Sequence, residues 1–398
     1  MKLNRRTLSI LVGLTTISAT ADVNVPKLPG SNNLSLKAQL GQKLFFDTTL
    51  SEPAGQACST CHNPAQAFTD ADKTKPTSKG VIADLQGNRN TPTAMYSAFA
   101  PAFHFDRGAG LYIGGQFLDG RASTLADQAK GPFVNPIEMA NPDSVTVVEK
   151  VRNTHYANLF DPIYGADALS DTTQAYNRIA DAIAAFERSP VLNRFTSKYD
   201  FYLFGRAKLT QQERRGLSVF EAGDKGNCAA CHPNRPVNNT PPLFTDHSYD
   251  NLGVPKNPAN PFYVLDSQFN PDGRYFVDTG LGKILDLPSE DGKIKVPTLR
   301  NVAITSPYMH NGYFKTLNGL VSFYSNRDIK RQCRNPLTTE AKALAQNCWP
   351  SPEVNSNVNH SELGSLKLSN QEINDLVAFL KTLTDGYQSK SPWSITTP

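Results

Sequence analysis

The sequence predicts a mainly α-helical protein with extensive irregular loops, built as two units around one repeated signature. Three observations carry this reading. Cys58-Ser59-Thr60-Cys61-His62 recurs as Cys228-Ala229-Ala230-Cys231-His232. Each copy follows a segment whose apolar residues recur at helical spacing. No stretch of useful length alternates apolar and polar residues as a half-buried strand would.

Taken in order, the chain opens with Lys2, Arg5 and Arg6, an apolar run from Leu8 to Ile17, and Ala19-Thr20-Ala21. These are the basic, apolar and small-residue parts of a secretory signal, so residues 1–21 are expected to be removed. The apolar run is too short to span a bilayer, and no later run is long enough. The expected location is therefore a periplasm. Leu36, Leu40 and Leu44 follow a helical period from a Ser35 cap to just before the first signature. Tyr176 to Arg188 reads as a helix with Ile179, Ile183 and Phe186 on one face. Ser189 to Leu209 reads as a boundary, which divides the mature chain into 22–190 and 191–398. Thr210-Gln211-Gln212-Glu213 is a capping box opening a helix through Leu217 and Phe220, just before the second signature. Ser369 and Glu372 cap another, with Ile373, Leu376, Val377, Leu380 and Leu383 as its buried stripe. The remainder, notably Pro233 to Asp291, is rich in Pro, Gly and Asn and is expected to form long loops stiffened by proline.

Three of the four net positive charges belong to Lys2, Arg5 and Arg6, leaving about +1 on the rest. A near-neutral chain offers no electrostatic attraction for nucleic acid or an anionic membrane. A mature length of about 377 residues suits two domains with room for buried cofactors.

C-x-x-C-H is the attachment signature of c-type haem: two thiols bond to the porphyrin and the histidine sits beneath the iron. Two copies imply two covalent haems, on Cys58, Cys61 and His62 and on Cys228, Cys231 and His232. A Cys-only zinc site is the alternative, but it gives neither histidine a role. Cys333 and Cys348 lie outside both signatures. In an oxidising compartment they are expected to close a short loop as a disulfide, worth ~3 kcal/mol; two buried free thiols are the other reading.

The sequence also contains Leu40-Gly41-x-x-Leu44-Phe45-Phe46-Asp47, Arg89-Asn90-Thr91-Pro92-Thr93 and Asp119-Gly120-Arg121-Ala122. Further on come Gln128-Ala129-Lys130-Gly131-Pro132, Asn135-Pro136-Ile137-Glu138-Met139, Val296-Pro297-Thr298-Leu299-Arg300-Asn301 and Pro307-Tyr308-Met309-His310-Asn311-Gly312. With these motifs in this order, nearly all of the mature chain resembles the bacterial dihaem cytochrome c peroxidases and their relative MauG. The resemblance implies two cytochrome c-like haem domains with different tasks. The haem on His62 would react with hydrogen peroxide, and the haem on His232 would store and relay electrons.

Chemistry at iron needs an open sixth position, and electron transfer favours a filled one. Many of these peroxidases close the first haem with a histidine from the loop after the first motif. Here no histidine occurs between His62 and His104, and Ser78 stands about where that ligand would fall. The first haem is thus expected to be five-coordinate, as in MauG. His104 lies in a segment, Phe103 to Gly115, that reads as an insertion, and is expected to be an ordinary side chain. His155, His247 and His360 stand alone and read as surface or loop residues. By resemblance, Glu138 acts as general acid/base on peroxide, Gln128 orients it, and Pro132 packs over the same face.

The sixth ligand of the second haem falls fourteen residues after His310. The peroxidases have methionine there and MauG has tyrosine; this chain has Tyr324. Met309, inside the motif, is the competing candidate. A phenolate favours higher oxidation states, whereas a thioether raises the potential. A calcium ion is also implied, on the Asn90 side chain and the carbonyls of Thr305 and Pro307. Two departures stand out: Leu118 replaces the tryptophan that relays electrons between the haems, and Gly226 replaces the tryptophan that MauG carries near its partner surface. The expected function is a periplasmic dihaem peroxidase. Its electron donor or protein substrate would be a small cytochrome, a cupredoxin or a precursor protein. A conventional cytochrome c peroxidase and a non-catalytic electron-transfer cytochrome are the rivals.

Overall fold

The computed structural model describes residues 23, 25–237 and 239–388. The signal segment 1–21 lies outside the described residues. None of the described helices is long and apolar enough to cross a membrane.

The fold is mainly α. The Leu36–Phe46 helix is capped by Ser35, whose hydroxyl accepts from the Ala38 N–H, and it buries Leu40, Leu44 and Phe45. It crosses the Thr172–Glu187 helix with Gly41 against the Ala182 carbonyl and Phe186, an approach too close for any Cβ. The second half repeats the device. The Gln211–Glu221 helix crosses the Asn370–Lys381 helix with Gly216 against the Asp375 carbonyl and Phe379. Both expected capping boxes are present. Thr210 Oγ1 accepts from the Glu213 N–H while Glu213 takes the Thr210 N–H at 2.6 Å. Ser369 and Glu372 do the same. Ile373, Leu376, Val377, Leu380 and Leu383 are all buried.

Buried apolar residues form two clusters. One draws on residues from Leu34 to Leu192, the other on residues from Tyr199 to Leu383. Between them, the stretch read as a boundary is ordered. It holds the Lys198–Leu203 helix, and Asp200 in its first turn forms a buried ion pair with Arg300. The Thr172–Glu187 helix begins four residues before the expected Tyr176, because Asp171 accepts from the Gln174 N–H and caps it there.

The described strands form two small antiparallel pairs, His104–Asp106 with Leu111–Ile113 and Tyr249–Asp250 with Ile294–Lys295. The first pair is the Phe103–Gly115 segment. It is a hairpin whose turn is held by Asp106 Oδ1 accepting from the Gly108 and Ala109 N–H groups. The Pro233–Asp291 region is chiefly coil with isolated helical turns, as expected. Cys333 and Cys348 form a disulfide.

Candidate active site

Each C-x-x-C-H motif forms one tight helical turn that delivers its histidine to a waiting carbonyl. Cys58–Cys61 is a short helix, and the His62 Nδ1 lies 2.9 Å from the Phe68 carbonyl oxygen. Cys228–Ala230 is a 3₁₀ turn, and the His232 Nδ1 lies 2.8 Å from the Phe244 carbonyl oxygen. Burial lowers the pKa of both imidazoles. A neutral ring that donates Nδ1–H to a carbonyl keeps its Nε2 lone pair free for a metal. Phe68 and Phe244 both adopt positive φ, 55° and 54°, which turns their carbonyls inward.

The two proline-threonine motifs brace these loops in the same way. Thr93 Oγ1 donates to the Ala67 carbonyl, and Thr298 Oγ1 donates to the Leu243 carbonyl. In both halves the braced residue immediately precedes the phenylalanine that holds the histidine. Arg89-Thr93 and Val296-Asn301 are thus two copies of one structural part.

The four motif cysteines are free and half-buried, whereas Cys333 and Cys348 are bridged. Burial raises the Cys58 thiol, and pushes Cys61, Cys228 and Cys231 up to about 12. Neutral thiol pairs beside a free imidazole nitrogen suit covalent haem attachment. Among the described residues no three His, Cys, Asp or Glu side chains converge as a metal site.

Both motifs open onto one cavity of about 490 Å³. Gln128, Pro132 and Glu138 line it together with Cys58, Cys61 and His62. Gln128 and Pro132 lie on the Leu125–Val134 helix, which is capped by Thr124. Glu138 follows in the loop, its Oε1 accepting from Asn135 Nδ2 at 2.9 Å. Burial raises its pKa, with Arg121 and Asn135 opposing. Ser78 also lines the cavity, bonded to Asp70 and Thr91. His104 is on the exposed hairpin with its Nδ1 at the Ala102 carbonyl, outside the cavity wall.

Tyr324 projects from the Leu317–Asn326 helix into the cavity beside the second motif. Burial raises its phenol pKa, and the Cys228 and Cys231 thiols add to the effect. Met309 lines the cavity too. Asn90 Nδ2 donates to the Pro307 carbonyl at 2.6 Å, and Thr305 and Pro307 both line the cavity.

Leu118 lines the cavity, its carbonyl accepting from the Lys295 N–H at 2.9 Å. Gly226 sits against the Val219 carbonyl, where no side chain fits without a shift. His155 and His360 are exposed, but His247 corrects the reading of an ordinary loop residue. It is in a loop, yet it lines the cavity with its Nε2 buried and unpartnered, and burial together with Lys295 lowers its pKa to about 4. Sequence reasoning also missed the ion pairs behind the cavity. Arg89 bridges Asp119 and Asp278 at 2.6 Å each. Burial works against the Asp278 carboxylate, but Arg89 holds it well below the usual range.

The di-haem cytochrome c peroxidase family profile matches residues 35–208. The chain is 40% identical over 356 residues to the methylamine utilization protein MauG of Paracoccus denitrificans, covering 87% of this chain and 88% of that protein. It is 30% identical over 301 residues to the cytochrome c551 peroxidase of Nitrosomonas europaea, 74% of each. The crystal structure of the dihaem peroxidase BthA from Burkholderia thailandensis superimposes with a TM-score of 0.73 at 34% identity, covering 89% of this chain and 87% of that one. On this evidence the chain belongs to the dihaem cytochrome c peroxidase and MauG family, and is an oxidoreductase that acts on peroxide.

Proposed function

We propose that this is a periplasmic, MauG-like dihaem peroxidase, with an N-terminal haem domain over 22–190 and a C-terminal one over 191–398. The observation that carries the reading is the shared cavity. Two half-buried thiol pairs, each with a carbonyl-anchored histidine, face it alongside one set of polar groups at the first site and a tyrosine at the second. Haem c bound there supplies redox chemistry at iron, taking electrons one at a time and passing them to peroxide.

The chain's own residues do the rest. Cys58, Cys61, Cys228 and Cys231 would anchor the two porphyrins, and the Nε2 atoms of His62 and His232 would hold the irons. Glu138 moves the proton from the inner to the outer peroxide oxygen. Asn135 holds the carboxyl in place, Gln128 orients the ligand and Pro132 packs beside it. Ser78, where an imidazole would bind iron, has only a hydroxyl that is already bonded to Asp70 and Thr91, which would leave room for peroxide. Tyr324 would help to hold the second haem through its phenol oxygen. Turned over, the Asn90 amide would aim Oδ1 at the Pro307 carbonyl, and oxygens so placed, with the Thr305 carbonyl, suit calcium. The partner is a small redox protein or a protein substrate.

An EPR spectrum of the oxidised holoprotein tests the reading. It should show one high-spin and one low-spin ferric haem, with cyanide binding before any reduction. Two low-spin signals and no cyanide binding until one haem is reduced would refute the open first site. Met309 supports a second reading, a conventional cytochrome c peroxidase, in which its thioether replaces the Tyr324 phenolate.

A further inference from the structure

The matched helix crossings allow the two halves to be compared position by position. Gly41 meets Ala182 and Phe186 as Gly216 meets Asp375 and Phe379. That equivalence pairs Ile183 with Leu376, and Glu187 with Leu380. All four line the cavity. Three are apolar, as packing against a porphyrin requires. The fourth is a carboxyl group, 6% exposed, whose Oε2 has no hydrogen-bond partner.

An unpartnered buried carboxyl is costly, and the surroundings do little to offset it. Lys37 and Lys43 on the Leu36–Phe46 helix, Asp127 and Lys130 on Leu125–Val134, and Glu149, Lys150 and Arg152 on Ser144–Arg152 all belong to helices packed against that of Glu187. None of them acts on it appreciably. Burial pushes its pKa up to about 8, and the neighbouring Arg188 opposes weakly. Glu187 and Glu138 both act on the Cys58 thiol, which places Glu187 in the electrostatic field of the first motif.

We propose that Glu187 is the proton partner of the N-terminal haem, taking up a proton when that haem gains an electron and releasing it when the haem is oxidised. This rests on the reading that a haem is bound at His62. The electron comes from the donor and the proton from water, so the charge in the cavity is unchanged and no bond to iron is made. The physical cause is Coulombic. Adding a negative charge in a water-poor cavity disfavours a nearby carboxylate, and removing it favours ionisation. Leu380, at the equivalent position of the second half, has no proton to exchange.

Spectroelectrochemical titration of the two-haem protein from about pH 6 to about pH 9 tests this. The N-terminal potential should fall as pH rises, by as much as about 59 mV per tenfold drop in proton activity. Glu187→Gln and Glu187→Leu should both flatten that slope and leave the C-terminal haem unchanged. Redox-difference infrared spectra of the wild type provide a check without substitution: reduction should add a protonated-carboxyl band that is absent in Glu187→Gln. A slope that survives both variants, or a wild type with neither slope nor band, overturns the inference while the two haems remain. A haem stoichiometry of one per chain would refute both this inference and the function on which it rests.

Discussion

The guanidinium of Arg300 and the carboxylate of Asp200 meet in two hydrogen bonds, 2.8 and 3.0 Å long, with side chains 0% and 1% exposed. The pair joins the Lys198–Leu203 helix to the Val296-Asn301 motif, and Arg300 also lies over the rings of Tyr96 and Phe195. Arg300→Met would leave Asp200 buried without its partner. Such a break costs ~3–5 kcal/mol, so chemical denaturation should show a loss of that size. A loss below about 1 kcal/mol, the range of exposed pairs, would show that water reaches the site.

The same pair sets an acid limit. Burial alone would raise the Asp200 carboxyl, but Arg300 and Ser197 hold it below its ordinary value. A depressed folded-state pKa gives stability that is complete above the unfolded value, about 4, and is lost as pH falls through the folded one. The melting temperature of the wild type should drop steeply below about pH 4. Asp200→Asn should melt lower at neutral pH and approach the wild-type curve in acid; parallel curves would count against the linkage.

Glu138→Gln tests proton transfer at the first site. Its amide preserves the contact with Asn135 in shape but cannot carry the proton. Stopped-flow mixing with peroxide should show a reaction ~100-fold slower or more, with haem content and resting spectrum unchanged. A native rate would remove Glu138 from the chemistry.

Tyr324 can be checked without turnover. Tyr324→Phe should convert the low-spin haem to high-spin, and Tyr324→Met should raise its potential. A low-spin spectrum that persists in Tyr324→Phe would transfer the ligand role to Met309.

Leu118→Trp should speed the sharing of oxidising equivalents between the haems, because tryptophan can be oxidised in a hopping step and leucine cannot. The Lys295 N–H anchors the Leu118 carbonyl, so the backbone is fixed for the new side chain. Rapid-mixing spectroscopy reading both haems would show the gain; equal rates would mean direct exchange.

What is legible in the sequence is what is written in adjacent residues. Both C-x-x-C-H turns, the capping boxes at Thr210 and Ser369, and the stripe from Ile373 to Leu383 are local patterns, and the fold contains them. The Asp171 cap lies beyond the apolar period of its helix, which is why that helix starts earlier than its stripe suggests. The hairpin escapes notice because its strands are three residues each and largely exposed, with no alternation to read. Arg89 and Asp278 are 189 residues apart, and no local rule pairs them. His247 and Glu187 look like ordinary polar residues until packing from elsewhere buries them.

The crossings at Gly41 and Gly216 have a consequence for how such a protein can change. Each is held by bare backbone against a carbonyl and the Cβ of one phenylalanine, a joint that requires glycine but makes no demand on the polar positions around it. A scaffold duplicated on those terms can diverge in one copy while the other keeps its inheritance. The first half can place an acid at Glu187 where the second has Leu380, and the second can place a phenol at Tyr324, with neither half having to refold. Specialisation between the two centres is then a matter of single codons.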